Sequence, residues 1–317
     1  ITFDDMIYVP AYFGLTVGRY NHVFVDEMQD LNVAQLIIAE HAVRLRDRIV
    51  FVGDDRQGIY AFRGADTNTI PKIKERFKPK LLKLTTTYRC PKKVVAIAQK
   101  YVPDFEAAPS APEGVVEQVN SDYMKQHWQP GDFVIARVNS VLASLCMEAL
   151  AEGIPAYMAG RDIGAGILKL IERSKCETIH QLLTWVQVWA ETESARLVSL
   201  ESDENVIMSV RDKAATLMAL AADKESIGDL IAFVKTLFVD KKGSVDRPRL
   251  AFMTAHRAKG LENPRVWLIE STFKPGRSRE DENLYYVAVT RAQRELYRVY
   301  LKKKHTTPEK LSEVTTE

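Results

Sequence analysis

Apolar residues fall into short unbroken runs, separated by polar loops and by segments whose apolar positions recur every three to four residues. The runs HVFVD, RIVFVGD, LLKLTTT and DFVIARV are each followed by such a segment: VAQLIIAEHAVRL, TIPKIKERF, PKKVVAIAQKYV and VLASLCMEALAEG. Continuous apolar strands alternating with amphipathic helices predict parallel sheets covered on both faces, an α/β architecture. From about Gly164 to Lys242 the strand signal gives way to helical periodicity, as in TIHQLLTWVQVWAE and IGDLIAFVKTLF. Strands return with PRLAFMTAH and PRVWLIE, followed by a helix, ENLYYVAVTRA, and a last strand, RELYRVYLK. The pattern therefore divides into a first α/β segment over 1–78, a second built from 79–163 and 246–317, and a helical insert over 164–245.

Composition narrows the picture. The 317 residues, 46% hydrophobic and 27% charged, are enough for about two domains, each with its own core. No apolar run approaches the roughly eighteen residues that span a bilayer, so the expected partners exclude a membrane and the expected location is the cytoplasm. Cys90, Cys146 and Cys176 lie far apart without a CxxC pair, which argues against a zinc site or a disulfide framework. The 44 basic and 42 acidic residues nearly cancel, so any nucleic-acid surface must come from local arrangement.

The strand HVFVD ends on Asp26 and Glu27, with Asp30 following. An acid at the carboxyl end of a buried parallel strand lies where open α/β sheets bind ligands, and in phosphate-binding motors it holds magnesium while a neighbouring Glu polarises the attacking water. The same acids also suit the N-terminus of the next helix, a role that fits Asp30 well. The second strand, RIVFVGD, leads into DRQGIYAFRGA, where Gln57 stands near a strand tip and the aromatics Tyr60 and Phe62 follow. Gln57 is a candidate γ-phosphate sensor. Aromatics on an exposed loop can stack on unpaired bases, each stack contributing roughly 1–3 kcal/mol, or can be buried in a turn.

Taken together, VFVDEMQD, VGDDRQGIYAFRGA, LTTTYRCP, MTAHRAKGLE and ENLYYVAVTRA resemble, in order, five motifs of the UvrD/Rep-like superfamily 1 DNA helicases. The resemblance implies two RecA-like motor domains, ATP and Mg2+ as cofactors, and ATP-driven movement on single-stranded DNA with 3′-to-5′ polarity. It implies Asp26 as the magnesium ligand and Glu27 as general base on the lytic water. Gln57, Arg89 and Arg291 would meet the γ-phosphate, with Tyr88 on the adenine and Glu262 and Lys259 elsewhere on the nucleotide. Tyr60, Phe62, Arg63, Thr254 and His256 would contact DNA, and the helical insert would offer a surface to a protein partner. Gly58 stands where the family usually has Ser, and Thr87 where it has Asn.

A G-x-x-x-x-G-K-[ST] loop, whose backbone amides and Lys cradle phosphates, occurs nowhere in the sequence. The expectation is accordingly of a C-terminal portion of a helicase, inactive in ATP hydrolysis alone, with the N-terminal half of the motor supplied in cis or in trans. The competing expectation is a non-catalytic module that binds single-stranded DNA or a partner through an inherited fold.

Overall fold

The computed structural model describes residues 2–15, 18–59, 69–239 and 248–301. It is an α/β protein whose strand pairs are all parallel, and its contacts divide the chain into two units, Ile1–Thr85 and Thr86–Glu317.

The first unit opens with α1 (Phe3–Phe13), closed at its start by a Thr2–Asp5 capping box and at its end by left-handed Gly14. Strand β1 (Tyr20–Val25) leads to α2 (Val33–Ala42), which begins on a second capping box, Asn32–Gln35. Strand β2 (Val43–Phe51) follows at once, so the helix expected to run to Leu45 stops three residues earlier, where β-branched Val43 takes extended geometry. Helix α3 (Thr69–Phe77) brings Phe77 onto Phe51 at a ring separation of 5.1 Å. β1 and β2 pair in parallel as a two-stranded sheet. The expectation of cover on both faces fails here: Val23, Val25, Ile49 and Phe51 are half-buried, whereas Phe24 and its cross-strand partner Val50 are exposed, Phe24 by 72%. Of LLKLTTT only its last two residues, Thr86 and Thr87, form a strand; Leu81, Leu82 and Leu84 stand exposed.

The second unit is built on a seven-stranded parallel sheet among the described residues. A small pair, β3 (Thr86–Thr87) and β4 (Glu106–Ala107), flanks α4 (Lys92–Ala98). Then come β5 (Val115–Asn120), α5 (Ser121–His127), β6 (Phe133–Ala136), α6 (Asn139–Ala151) and β7 (Ala156–Ala159). Four helices follow, α7 (Arg161–Ser174), α8 (Ile179–Ser199), α9 (Glu204–Ala221) and α10 (Ile227–Leu237). The chain returns through β8 (Phe238–Val239), β9 (Leu250–Thr254), α11 (Ala255–Ala258), β10 (Asn263–Ile269), α12 (Arg279–Val289) and β11 (Ala292–Tyr300). The strand order is β5-β11-β10-β6-β9-β7-β8. Central β6 and β9 are buried at every position, as continuous apolar strands between two layers of helix must be. β8 lies inside the stretch read from sequence as wholly helical; two residues are too few to carry a periodic signal.

Helices α7–α10 share one hydrophobic cluster with the sheet, in which Leu182, Val186, Leu217, Leu220, Leu230 and Val234 join Met158, Phe252 and Trp267. A buried carboxylate fastens α9 to α6: Asp212 accepts from the backbone N–H of Asn139 and of Ser140, each at 2.9 Å, and from the Asn139 side chain at 3.0 Å. The first turn of α6 thus draws its acceptor from a residue more than seventy positions away, because its own N-cap, Val138, has no side chain that can serve. Asp212→Ala strands these donors in the interior, and we expect a loss of about 2–3 kcal/mol in urea unfolding of the second unit. A loss below about 0.5 kcal/mol would contradict the fastening role.

Candidate functional site

In the first unit, chemistry gathers where β1 ends. Val52 N–H bonds Val25 at 2.8 Å and Met28 N–H bonds Val52 at 3.0 Å, so the two strand ends stay in register past the sheet. The chain then turns sharply. Glu27 adopts left-handed backbone (φ 52°, ψ 43°), uncommon for a residue with a Cβ, and its N–H donates to Asp26 Oδ1 at 2.9 Å. The turn leaves both acids exposed at the strand tip.

Beneath them lies Gln29, 7% exposed. Its amide nitrogen donates to Glu27 Oε2, and its carbonyl oxygen accepts from Asp54 N–H at 3.0 Å. Asp54 in turn accepts from Arg56 N–H and from the Gln57 side chain, each at 2.9 Å. One hydrogen-bonded chain therefore runs from Glu27 through Gln29 and Asp54 to Gln57, joining the two strand tips. Gly53 is required where it stands: a Cβ there would lie 2.3 Å from Gln29 Oε1 and 3.0 Å from the Met28 amide. Gln29, Gly53 and Asp54 were not singled out in the sequence. Gln29 stood there only as a polar residue beside the acids, and Gly53 and Asp54 only as the end of the strand RIVFVGD. Tyr60, Phe62 and Arg63 lie outside the described residues.

In the second unit the structure brings Arg89, Glu262 and Arg291 together. Arg89 follows β3, Glu262 immediately precedes β10, and Arg291 immediately precedes β11. Arg89 Nε donates to Glu262 Oε2 at 2.5 Å, and Gln293 donates to the other oxygen of the same carboxylate at 2.8 Å. Arg291 is 1% exposed. Its guanidinium bonds the Val287 carbonyl at 2.7 Å, the Leu261 carbonyl at 3.2 Å and Thr290 Oγ1 at 2.9 Å, all of them neutral oxygens. Among the described residues no carboxylate lies within ion-pair distance of it. Burial, reinforced by the charge of Arg89, depresses its pKa to about 10. Cys90 packs beside it, its thiol against the Thr290 carbonyl and pushed up by burial. Tyr88, one residue before Arg89, is 87% exposed.

Thr254 and His256 lie elsewhere. Thr254 ends β9, buried to 7% exposure, and His256 sits in α11 just beyond. Since all strands run the same way, these residues occupy the carboxyl edge of the sheet, whereas Glu262 and Arg291 occupy its amino edge. β10 has seven residues, so the two edges are about 20 Å apart. Lys259 follows α11 on the segment leading back to the amino edge.

Among the described residues no group of three or more His, Cys, Asp or Glu converges to hold a metal. Magnesium in phosphate-transfer sites is commonly held by one or two carboxylates plus the phosphates themselves, and a single exposed acid at Asp26 fits that donor set. Arg89, partly exposed, presents a guanidinium that suits a polyphosphate, with the charge of Arg291 buried beside it.

Family models match both units: residues 13–78 match the UvrD/REP helicase N-terminal domain and residues 169–303 the UvrD-like helicase C-terminal domain. The chain is 23% identical to the putative ATP-dependent DNA helicase YjcD of Bacillus subtilis, over 88% of this chain and 51% of that protein. It is 34% identical over 85 residues to DNA helicase II of Rickettsia typhi, covering 26% of this chain and 13% of that one. Similarity to the ATP-dependent DNA helicase PcrA of Bacillus subtilis is 29% over 111 residues, 32% of this chain and 15% of the relative. The chain thus spans about half the length of these relatives or less. No helix among the described residues is long and apolar enough to cross a membrane.

The close approach at Gly53 gives a direct test of the Gln29 bridge. Gly53→Ala should destabilise the first unit by about 1–3 kcal/mol, and part of that loss should vanish when Gln29→Ala is already present, the remainder coming from the contact with Met28. Additive losses in the double variant would show that the two positions do not meet.

Proposed function

Because this chain belongs to the UvrD/Rep-like helicase family, we propose that it supplies the water-activating and arginine-bearing parts of an ATP-driven motor moving 3′-to-5′ on single-stranded DNA. Residues 1–78 are the first motor domain's portion, 79–163 with 246–317 the second motor domain, and 164–245 the insert. The observation that carries the reading is Arg291, a buried cation that has no carboxylate partner among the described residues, beside a second arginine at the amino edge of a parallel sheet.

Glu27 takes the proton of the lytic water, its carboxylate aimed by Gln29. Gln57, bonded to Asp54 on the same hydrogen-bonded chain, reads the γ-phosphate. Asp26 would hold Mg2+, which would supply positive charge against the phosphates. Arg89 and Arg291 stabilise the negative charge that develops on the transferred phosphoryl group, a role worth about 10³–10⁵ in rate for arginine fingers. Tyr88, exposed and adjacent, offers a ring for adenine. Thr254 and His256, on the opposite edge, with Tyr60, Phe62 and Arg63, meet the DNA strand. Lys259 and Glu262 face the nucleotide, and the insert receives a protein partner.

The sequence contains no phosphate-cradling loop, so the catalytic reading requires one joined in cis or in trans. Alone, the 317-residue chain should bind a single-stranded oligonucleotide with an affinity that falls steeply with salt, and should show no ATP turnover above background. Combined with a polypeptide carrying the G-x-x-x-x-G-K-[ST] half of the motor, it should turn over ATP with DNA stimulation. Glu27→Gln should then lower the rate by about 10²–10⁴. Reconstituted turnover indifferent to Glu27→Gln would overturn the mechanism. DNA binding with no turnover and no response to nucleotide in any combination would favour a non-catalytic module.

A further inference from the structure

Among the described residues Glu262 is the one acid bonded to the arginine cluster, and it is doubly held. Gln293 fixes one carboxylate oxygen while the other receives Arg89 Nε. Arg89 and Glu262 are partly exposed, with side-chain accessibilities of 36% and 44%, so solvent and incoming anions reach the pair. Arg291 is sealed and bonded only to neutral oxygens. The cluster thus holds two guanidiniums against one carboxylate, an excess of one positive charge, and only the exposed guanidinium has an acidic partner.

We propose that Glu262 is an internal stand-in for phosphate: it occupies Arg89 until a polyphosphate displaces it, so that the cluster takes a multiply charged anion and declines weak ones. This rests on the reading of Arg89 and Arg291 as a phosphate site, and gives Glu262 a role beyond facing the nucleotide. The physical argument is exchange. A bound carboxylate meets Arg89 with a single charge, and a multiply charged anion in its place recovers that bond and adds attraction to the buried charge of Arg291 beside it. A monoanion gains nothing over Glu262. Gln293 is a positioning residue, because it holds the carboxylate in the orientation from which it meets Arg89. The pair is exposed enough that its removal should change affinity only modestly, by about two- to fivefold.

The test uses the 317-residue chain itself and inorganic tripolyphosphate without divalent cations, by titration calorimetry at low salt, with circular dichroism melts to confirm that each variant is folded. Glu262→Gln should bind tripolyphosphate about two- to fivefold more tightly than the native chain, and Gln293→Ala should move in the same direction by less. Arg89→Gln should weaken binding by about tenfold. Glu193→Gln, which removes the same charge from an exposed ion pair on α8, should leave affinity unchanged; an equal gain there would reduce the effect to net charge and overturn the proposal. Binding that depends on Arg89 but is equal or weaker in Glu262→Gln would overturn the stand-in role while leaving the arginine site intact. No binding by any variant would overturn both.

Discussion

A guanidinium taken out of water without a carboxylate is costly, and a fold retains one only where its hydrogen bonds are well met. Arg291 meets that condition through two main-chain carbonyls and a threonine hydroxyl, and α12 and the C-cap residue that ends it supply two of these three acceptors, Val287 and Thr290. The helix end, the strand that follows it and the cation are therefore one construction. Neutral oxygens orient the charge without cancelling it. Much else in the second unit serves to hold the amino edge of the sheet in place. The central strands β6 and β9 are buried at every position, and α9 is fastened across to α6 by Asp212.

The direction of the strands then separates two groups of candidate residues. All pairs in the seven-stranded sheet are parallel, so the segments before strands collect at one edge and those after strands at the other. Arg291 and Glu262 precede strands; Thr254 and His256 follow one. Strand length fixes the distance between the groups. In the first unit the carboxyl edge is the chemically dense one, where a left-handed Glu27 and a buried Gln29 tie two strand tips into a single hydrogen-bonded unit.

Much of this was legible in the amino-acid pattern. The acids at 26 and 27, the Tyr-Arg pair at 88 and 89, and the arginine at 291 stand where apolar runs stop, and strand ends are readable because the runs are. The parallel sheet followed from continuous apolar strands such as FVIA and LAFMT. What could not be read is spatial. Nothing in DEMQD says that the Gln rather than an acid is the buried member, and nothing in MTAHRAKGLE says that Thr254 and Glu262 end on opposite edges. Strand β5, VVEQVN, escaped because its alternation is broken by two polar residues. The expected strand at LLKL did not form because the leucines have no strand to pair with, and pairing is a property of the sheet that a single run cannot announce.

The most direct test of this account is nuclear magnetic resonance of the arginine Nε–H groups and backbone amides, titrated first with a slowly hydrolysed ATP analogue and then with a single-stranded oligonucleotide. The analogue should shift Arg89 and Arg291 while leaving Thr254 and His256 in place, and the oligonucleotide should do the reverse. An analogue that perturbs Thr254 and His256 and leaves Arg291 unmoved would contradict it.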